Sequence, residues 1–161
     1  MVTDFEAALT VLNSNQVDFI VVGGIAATLH GSAQITQDLD LVYARTRSNI
    51  ERLAKAFKPL APYLRGAPPG LPFLWDERTI RNGLNFTLTT SLGDIDLLGE
   101  VVGGGTYVDL LPHTMLVEGF GLQFHIVTLD KLIVLKRAAG RPKDIAVVAE
   151  LQQILERREK K

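Results

Sequence analysis

The sequence predicts an α+β fold in which a mixed β-sheet with flanking helices is closed by a C-terminal helical pair. Three observations carry that expectation. Stretches with strand alternation, "DLDLVYA" and "DIDLLGEVV", are separated by helix-periodic segments such as "NIERLAKAFKPL". A strand–glycine–glycine–helix order, "DFIVVGGIAATLHG", marks an early turn from sheet to helix. The closing stretch "TLDKLIVLKRAAGRPKDIAVVAELQQILERREKK" has helical character throughout, interrupted only by Gly140 as a stop and Pro142 as a restart.

Taken in order, Thr3 and Glu6 have capping-box spacing and predict a helix over about 4–13. "DFIVVGG" reads as a short buried strand. A two-turn helix over 25–30 follows, with Gly31 placed to end it. "DLDLVYA" is the second strand. Ser48 and Glu51 repeat the capping-box spacing before a helix whose Ile50, Leu53, Ala54 and Phe57 share one face. Residues 59–72 hold five of the seven prolines and two glycines, which predicts a loop without regular structure. Loops of that length often contact substrates. Asp76 opens a single helical turn, and "LNFTLTTS" with "DIDLLGEVV" forms a hairpin across Leu92 and Gly93. "GGGTY" is a turn, "MLVEG" and "LQFHIV" make a second hairpin, and two helices end the chain. Neither a repeat nor a linker divides the 161 residues, so we expect one domain over 1–161. Its catalytic core would span about 17–101, followed by a hairpin and helices over about 106–161.

Composition narrows the class of function. With 47% apolar and 22% charged residues the chain is globular rather than disordered. A formal charge of −1 supplies no overall attraction for nucleic acid or anionic lipid. The basic run "ERREKK" reads as the solvated end of a helix. Without cysteine, disulfides and thiolate metal sites are excluded. The acidic N-terminal stretch is unlike a signal peptide, and the apolar runs fall short of the roughly 20 residues that cross a bilayer. The expectation is a cytoplasmic protein with no membrane partner.

Chemistry concentrates in two strands. Residues i and i+2 of a strand share a face, about 6.6 Å apart along the backbone. Asp38 and Asp40 therefore share one face, with Leu39 and Leu41 opposite; Asp94 and Asp96 repeat the device against Ile95 and Leu97. Ten aspartates give roughly 0.6 Asp-x-Asp pairs by chance in a chain of 161, so two pairs, each on an apolar strand, call for a cause. Carboxylates about 5 Å apart repel by roughly 3 kcal/mol at an effective dielectric near 20. Either one binds a proton or a divalent cation lies between them. Mg²⁺ takes carboxylates from a protein and completes its shell with water and phosphate oxygens. Gly23 and Gly24 favour the cation, because a bare turn at the start of a helix lets phosphate approach the backbone.

"GGIAATLHGSAQITQDLDLVY", followed by "GDIDLLGE", resembles the nucleotidyltransferase superfamily with the DNA-polymerase-β-like core. In that family a Gly-Gly or Gly-Ser turn precedes Asp-x-Asp on the next strand and a third carboxylate on a later one. More narrowly, "LIVLKRAAGRPKDIAVVAEL" is similar to small bacterial members related to abortive-infection and toxin–antitoxin nucleotidyltransferases. The resemblance implies a metal-dependent enzyme that moves a nucleoside monophosphate from an NTP to an acceptor hydroxyl, releasing pyrophosphate. It implies Asp38, Asp40 and Asp96 as catalytic residues and metal ligands for two Mg²⁺ ions, with Mn²⁺ as an alternative. Gly23, Gly24 and Lys136 would bind the nucleotide. Asp96 is chosen over Asp94 because it lies deeper in its strand.

Gln34 stands where small relatives often carry a basic residue, which keeps open a catalytically inactive binding partner of the same fold, an antitoxin or regulatory protein. A sugar-nucleotide transferase would also use Asp-x-Asp, but the nearby glycine turn suits it poorly. An RNA end, a protein hydroxyl and a small molecule remain equal as acceptors. Lesser candidates are Arg141 and Asp144 as a phosphate contact or hinge, and Arg78 and Arg81 toward an acceptor. Phe73 and Trp75 read as an aromatic pair over the core. His30, His113 and His125 lack ligand spacing and read as structural.

Overall fold

The computed structural model describes residues 2–161. A seven-stranded mixed sheet runs through it, built from β1 (Phe19–Val22), β2 (Leu39–Tyr43), β3 (Tyr63–Leu64), β4 (Asn85–Thr90), β5 (Gly93–Leu98), β8 (Thr114–Gly119) and β9 (Leu122–Val127). Their spatial order is β3-β4-β5-β2-β1-β9-β8. β1 is antiparallel to β2 and parallel to β9, while β2 is parallel to β5. The helices are α1 (Phe5–Ser14), α2 (Gly23–Leu29), α3 (Arg47–Phe57), α4 (Glu77–Asn82), α5 (Tyr107–Leu110), α6 (Leu129–Ala139) and α7 (Pro142–Glu159). β6 (Glu100–Val101) and β7 (Gly105–Thr106) form a small hairpin of their own. The expected α+β class, mixed sheet and C-terminal helical pair are all present.

Alternation of side chains sets the register. Leu39 and Leu41 on β2, and Ile95 and Leu97 on β5, are fully buried. Each such side chain contributes about 1.5–3 kcal/mol on burial. A one-residue slip would carry the aspartates into the core in their place, so the pairing is strongly specified. β1 is buried along its whole length, as suits a strand near the centre of the sheet. α6 ends at Gly140 in the left-handed region (φ 67°), and Pro142 begins α7.

Several local expectations shift. Asp4, not Thr3, caps α1, accepting from the Ala7 N–H at 3.0 Å. The Thr3 hydroxyl has a long-range use instead: it donates to the Gln37 carbonyl at 2.5 Å and accepts from the Asp94 N–H at 3.0 Å. Thr46 rather than Ser48 caps α3. The proline-rich segment is not wholly irregular, because Tyr63 and Leu64 pair with Thr89 and Leu88 as an edge strand. The glycine-rich turn carries the β6–β7 hairpin, and α5 follows it where no helix was expected. Arg158 of the basic tail is not merely solvated: it donates to the His30 carbonyl at 2.9 Å and lies 3.2 Å from His30 Nδ1. His30 Nε2 is 2.8 Å from the Val127 carbonyl, so the ring ties α2 to β9 and α7. Burial, with the nearby Arg158 charge, lowers its pKa despite that hydrogen bond.

Candidate active site

Parallel pairing of β2 and β5 sets Asp40 directly beside Asp96. On its other side, Asp40 is opposite Val22, the last residue before the glycine turn. Gly23 has φ 67°, and a Cβ there would overlap the Asp40 carboxylate. One at Gly24 would overlap Thr36. Both glycines are thus required by close approach, and Gly23 also by its backbone conformation.

Asp38 precedes β2 rather than lying on it, contrary to the strand reading. Its carboxylate nonetheless joins Asp40 and Asp96 in lining a cavity of about 410 Å³. Gly24 borders this cavity, and Lys136, Arg141 and Lys143 bring positive charge to it. Gly23 borders an adjoining hollow with Asp40 and Lys136. Asp94 lines neither. Arg78 and Arg81 are exposed and away from both, while Trp75 packs against Phe57 and Phe86 with ring centroids 6.1 and 5.8 Å apart. Phe73 meets Tyr63 edge-on.

The acids differ in their compensation. Asp40 is pushed up to about 7 by burial and by the adjoining carboxylates of Asp96 and Asp38, against a smaller opposing effect of Lys136. Asp144, on α7, is fully buried yet doubly paired: Lys136 Nζ lies 3.3 Å from it and Arg141 Nε 2.6 Å. Burial would raise its pKa, but the Arg141 hydrogen bond and the two cations outweigh that and lower it. Lys136 is therefore engaged by a carboxylate while still bordering the cavity.

Arg65 is the residue that the sequence reading missed. Its guanidinium lies 3.8 Å from Asp38 Oδ2, 3.5 Å from Asp94 Oδ1 and 2.9 Å from Asp96 Oδ1. The shortest of these is an ion pair by distance but not an aligned hydrogen bond. Nη2 instead donates to the Leu88 carbonyl at 2.7 Å, and Asp96 Oδ1 is buried without a hydrogen-bond donor.

That orphaned oxygen bears on whether a divalent cation suits the site. Among the described residues no three acidic, histidine or cysteine side chains form a ready-made metal cage. Two neighbouring carboxylates, one short of a donor and the other with a raised pKa, do match what Mg²⁺ takes from a protein when phosphate and water complete its shell. The residues fit the ion.

Comparison with solved structures supports the architecture. A crystal structure from Thermotoga maritima, described as a "putative nucleotidyltransferase", superposes with a TM-score of 0.52 at 15% identity, covering 98% of this chain and 96% of that one. The fold is nucleotidyltransferase-like. At that identity the likeness concerns the fold alone. No protein-family model matches the sequence, and neither does any curated protein. No described helix is long and apolar enough to cross a membrane.

Proposed function

We propose that this protein transfers a nucleoside monophosphate from an NTP to an acceptor hydroxyl, with release of pyrophosphate and dependence on Mg²⁺. The observation that carries the reading is the Asp40–Asp96 pair, held in register beside a glycine turn and facing a cavity with a basic side. Asp40 and Asp96, with Asp38 at the rim, would hold the ion, and Mn²⁺ could replace it. Bound there, Mg²⁺ would neutralise triphosphate charge and stabilise the attacking and leaving oxygens.

The remaining work falls to the chain itself. Gly23 leaves no side chain against the Asp40 carboxylate and Gly24 none at the cavity wall, so a phosphate could approach the backbone of the turn. Lys136, Arg141 and Lys143 draw the polyphosphate into the cavity, and Asp144 holds the first two in place. Their charge arrives from α6, from α7 and from the junction between them, which offsets the neutral Gln34 in the same lining. Asp96 is the third carboxylate in this scheme, because it, and not Asp94, borders the cavity with Asp40. Catalysis would then consist of positioning and charge stabilisation.

A catalytically silent binding partner of the same fold is the weaker reading, since it gives no reason for Asp40, set against another carboxylate and raised in pKa, to face an open cavity. The narrower kinship with abortive-infection and toxin–antitoxin enzymes, and with it a partner protein, rests on the sequence resemblance alone.

The test is incubation of the chain with each α-labelled NTP, Mg²⁺ and a cell extract, beside Asp40→Ala. Label should enter one class of acceptor (RNA, protein or small molecule) and fall at least about a hundredfold in the variant. Equal labelling by both proteins would remove Asp40 from the reaction.

A further inference from the structure

Arg65 and Asp94 explain each other. Asp94 is an acid that neither the cavity nor the resemblance requires, and Arg65 is a cation with no assigned task. Arg65 follows directly on the edge strand β3, and its side chain is only a quarter exposed, at 26%. Among the described residues it is the only cation within ion-pair distance of Asp38, Asp94 or Asp96. Lys136 and Arg141, the nearest alternatives, are engaged by Asp144. Yet Arg65 is poorly fitted to its carboxylates. Its Nε is buried without an acceptor, and the one aligned donation from its guanidinium goes to the Leu88 carbonyl. A guanidinium built to bind one carboxylate would present two parallel donors to it. This one is spread over three acids and held mainly by charge.

We propose that Arg65 is a built-in counter-cation: it neutralises the acidic cluster in the metal-free protein, competes with the divalent ion, and withdraws onto Asp94 when that ion binds Asp40 and Asp96. The proposal rests on the cation reading given above. Asp94 suits the receiving role because it lies 3.5 Å from Nε, is 40% exposed and stands outside the cavity. Arg65 is thus a positioning residue for the acids, acting on ion affinity through charge. Lysine at position 65 would keep that charge, whereas glutamine would keep much of the bulk and lose it.

Binding of Mn²⁺ alone to the full chain, followed by the electron-spin-resonance signal of the free ion, tests this. Arg65→Gln should bind Mn²⁺ about tenfold more tightly than the wild type, because a competing charge at short range is gone. Arg65→Lys should stay near the wild type. Asp94→Asn should weaken binding severalfold by confining Arg65 to the other acids, and that effect should vanish in the Arg65→Gln background. The metal-free Arg65→Gln protein should melt at lower temperature and recover more on addition of Mn²⁺.

A purely structural Arg65 would lower the melting temperature without tightening Mn²⁺ binding, which would overturn the proposal. Equal weakening by Asp94→Asn in both backgrounds would make Asp94 a direct ligand and overturn it as well. If Asp40→Asn abolishes Mn²⁺ binding while Arg65→Gln leaves it unchanged, the counter-cation idea fails and the cation reading stands. If Asp40→Asn leaves binding intact, the cation reading fails and takes this proposal with it.

Discussion

Asp40 and Asp144 are both aspartates withdrawn from water, and the protein treats them in opposite ways. Asp144 is wholly buried, yet two cations and the start of its own helix complete its surroundings. Asp40 is less deeply placed, but its nearest charged neighbour is another carboxylate, and its pKa rises to about 7. Asp144 is electrostatically finished and fixes α7 against α6. Asp40 is left unfinished, and an external positive charge would complete it. A site that awaits a ligand is recognisable by what the fold withholds.

Three measurements put that contrast to the test. The largest effect is expected from Asp144→Asn, which leaves Lys136 and Arg141 without their carboxylate. Stability should fall by about 3 kcal/mol, as when one partner of a buried ion pair is removed. Urea or thermal melts would show it, and a loss under about 1 kcal/mol would mean that the pairing is worth no more than a surface contact.

Asp40→Asn should act in the opposite direction. The folded pKa of Asp40 lies above its unfolded value, so ionisation costs more in the folded state, and stability is lost as pH rises through about 7. Removing the charge should stabilise the metal-free protein at pH 8 on the order of 2 kcal/mol, raising Tm by about 5 °C. The gain should shrink steadily as pH falls below 7 and disappear only below about 4, where Asp40 carries a proton in the unfolded chain as well. A variant less stable than the wild type at pH 8 would contradict the account of Asp40.

The smallest effect belongs to His30. Its folded pKa is depressed, so the stability it contributes is complete above its unfolded value of about 6.5 and is lost as pH falls below that. In the Asp40→Asn protein, where the carboxyl no longer opposes the trend, melts between pH 7 and 5 should show a modest decline. A flat profile would mean that His30 takes up its proton as freely folded as unfolded.

Much of the site's frame could be read from local pattern. Asp-x-Asp with apolar partners declares both strand and face, and Gly23–Gly24 declares a corner. Gly140 and Pro142 mark the break between the last two helices. What escaped was non-local. Arg65 stands in a stretch of prolines and glycines, next to a strand of two residues that is too short for any periodicity to betray. Only the pairing of Tyr63 and Leu64 with β4 brings it to the acids. Thr3 misled because a capping-box spacing cannot disclose that its hydroxyl is already engaged by Gln37 and Asp94. Asp38 was placed on β2 because alternation gives the face of a residue more reliably than the end of a strand.

The parallel pairing of β2 with β5 has a consequence for how the molecule comes into being. Parallel neighbours cannot be joined by a tight turn, and here the crossover runs through α3, β3, α4 and β4. A chain emerging from the ribosome thus displays Asp38 and Asp40 well before Asp96 has been synthesised, and the three acids cannot meet until that long excursion closes. The acidic cluster is in this sense a late acquisition, reached only as the slow, distant contacts of the sheet fall into place.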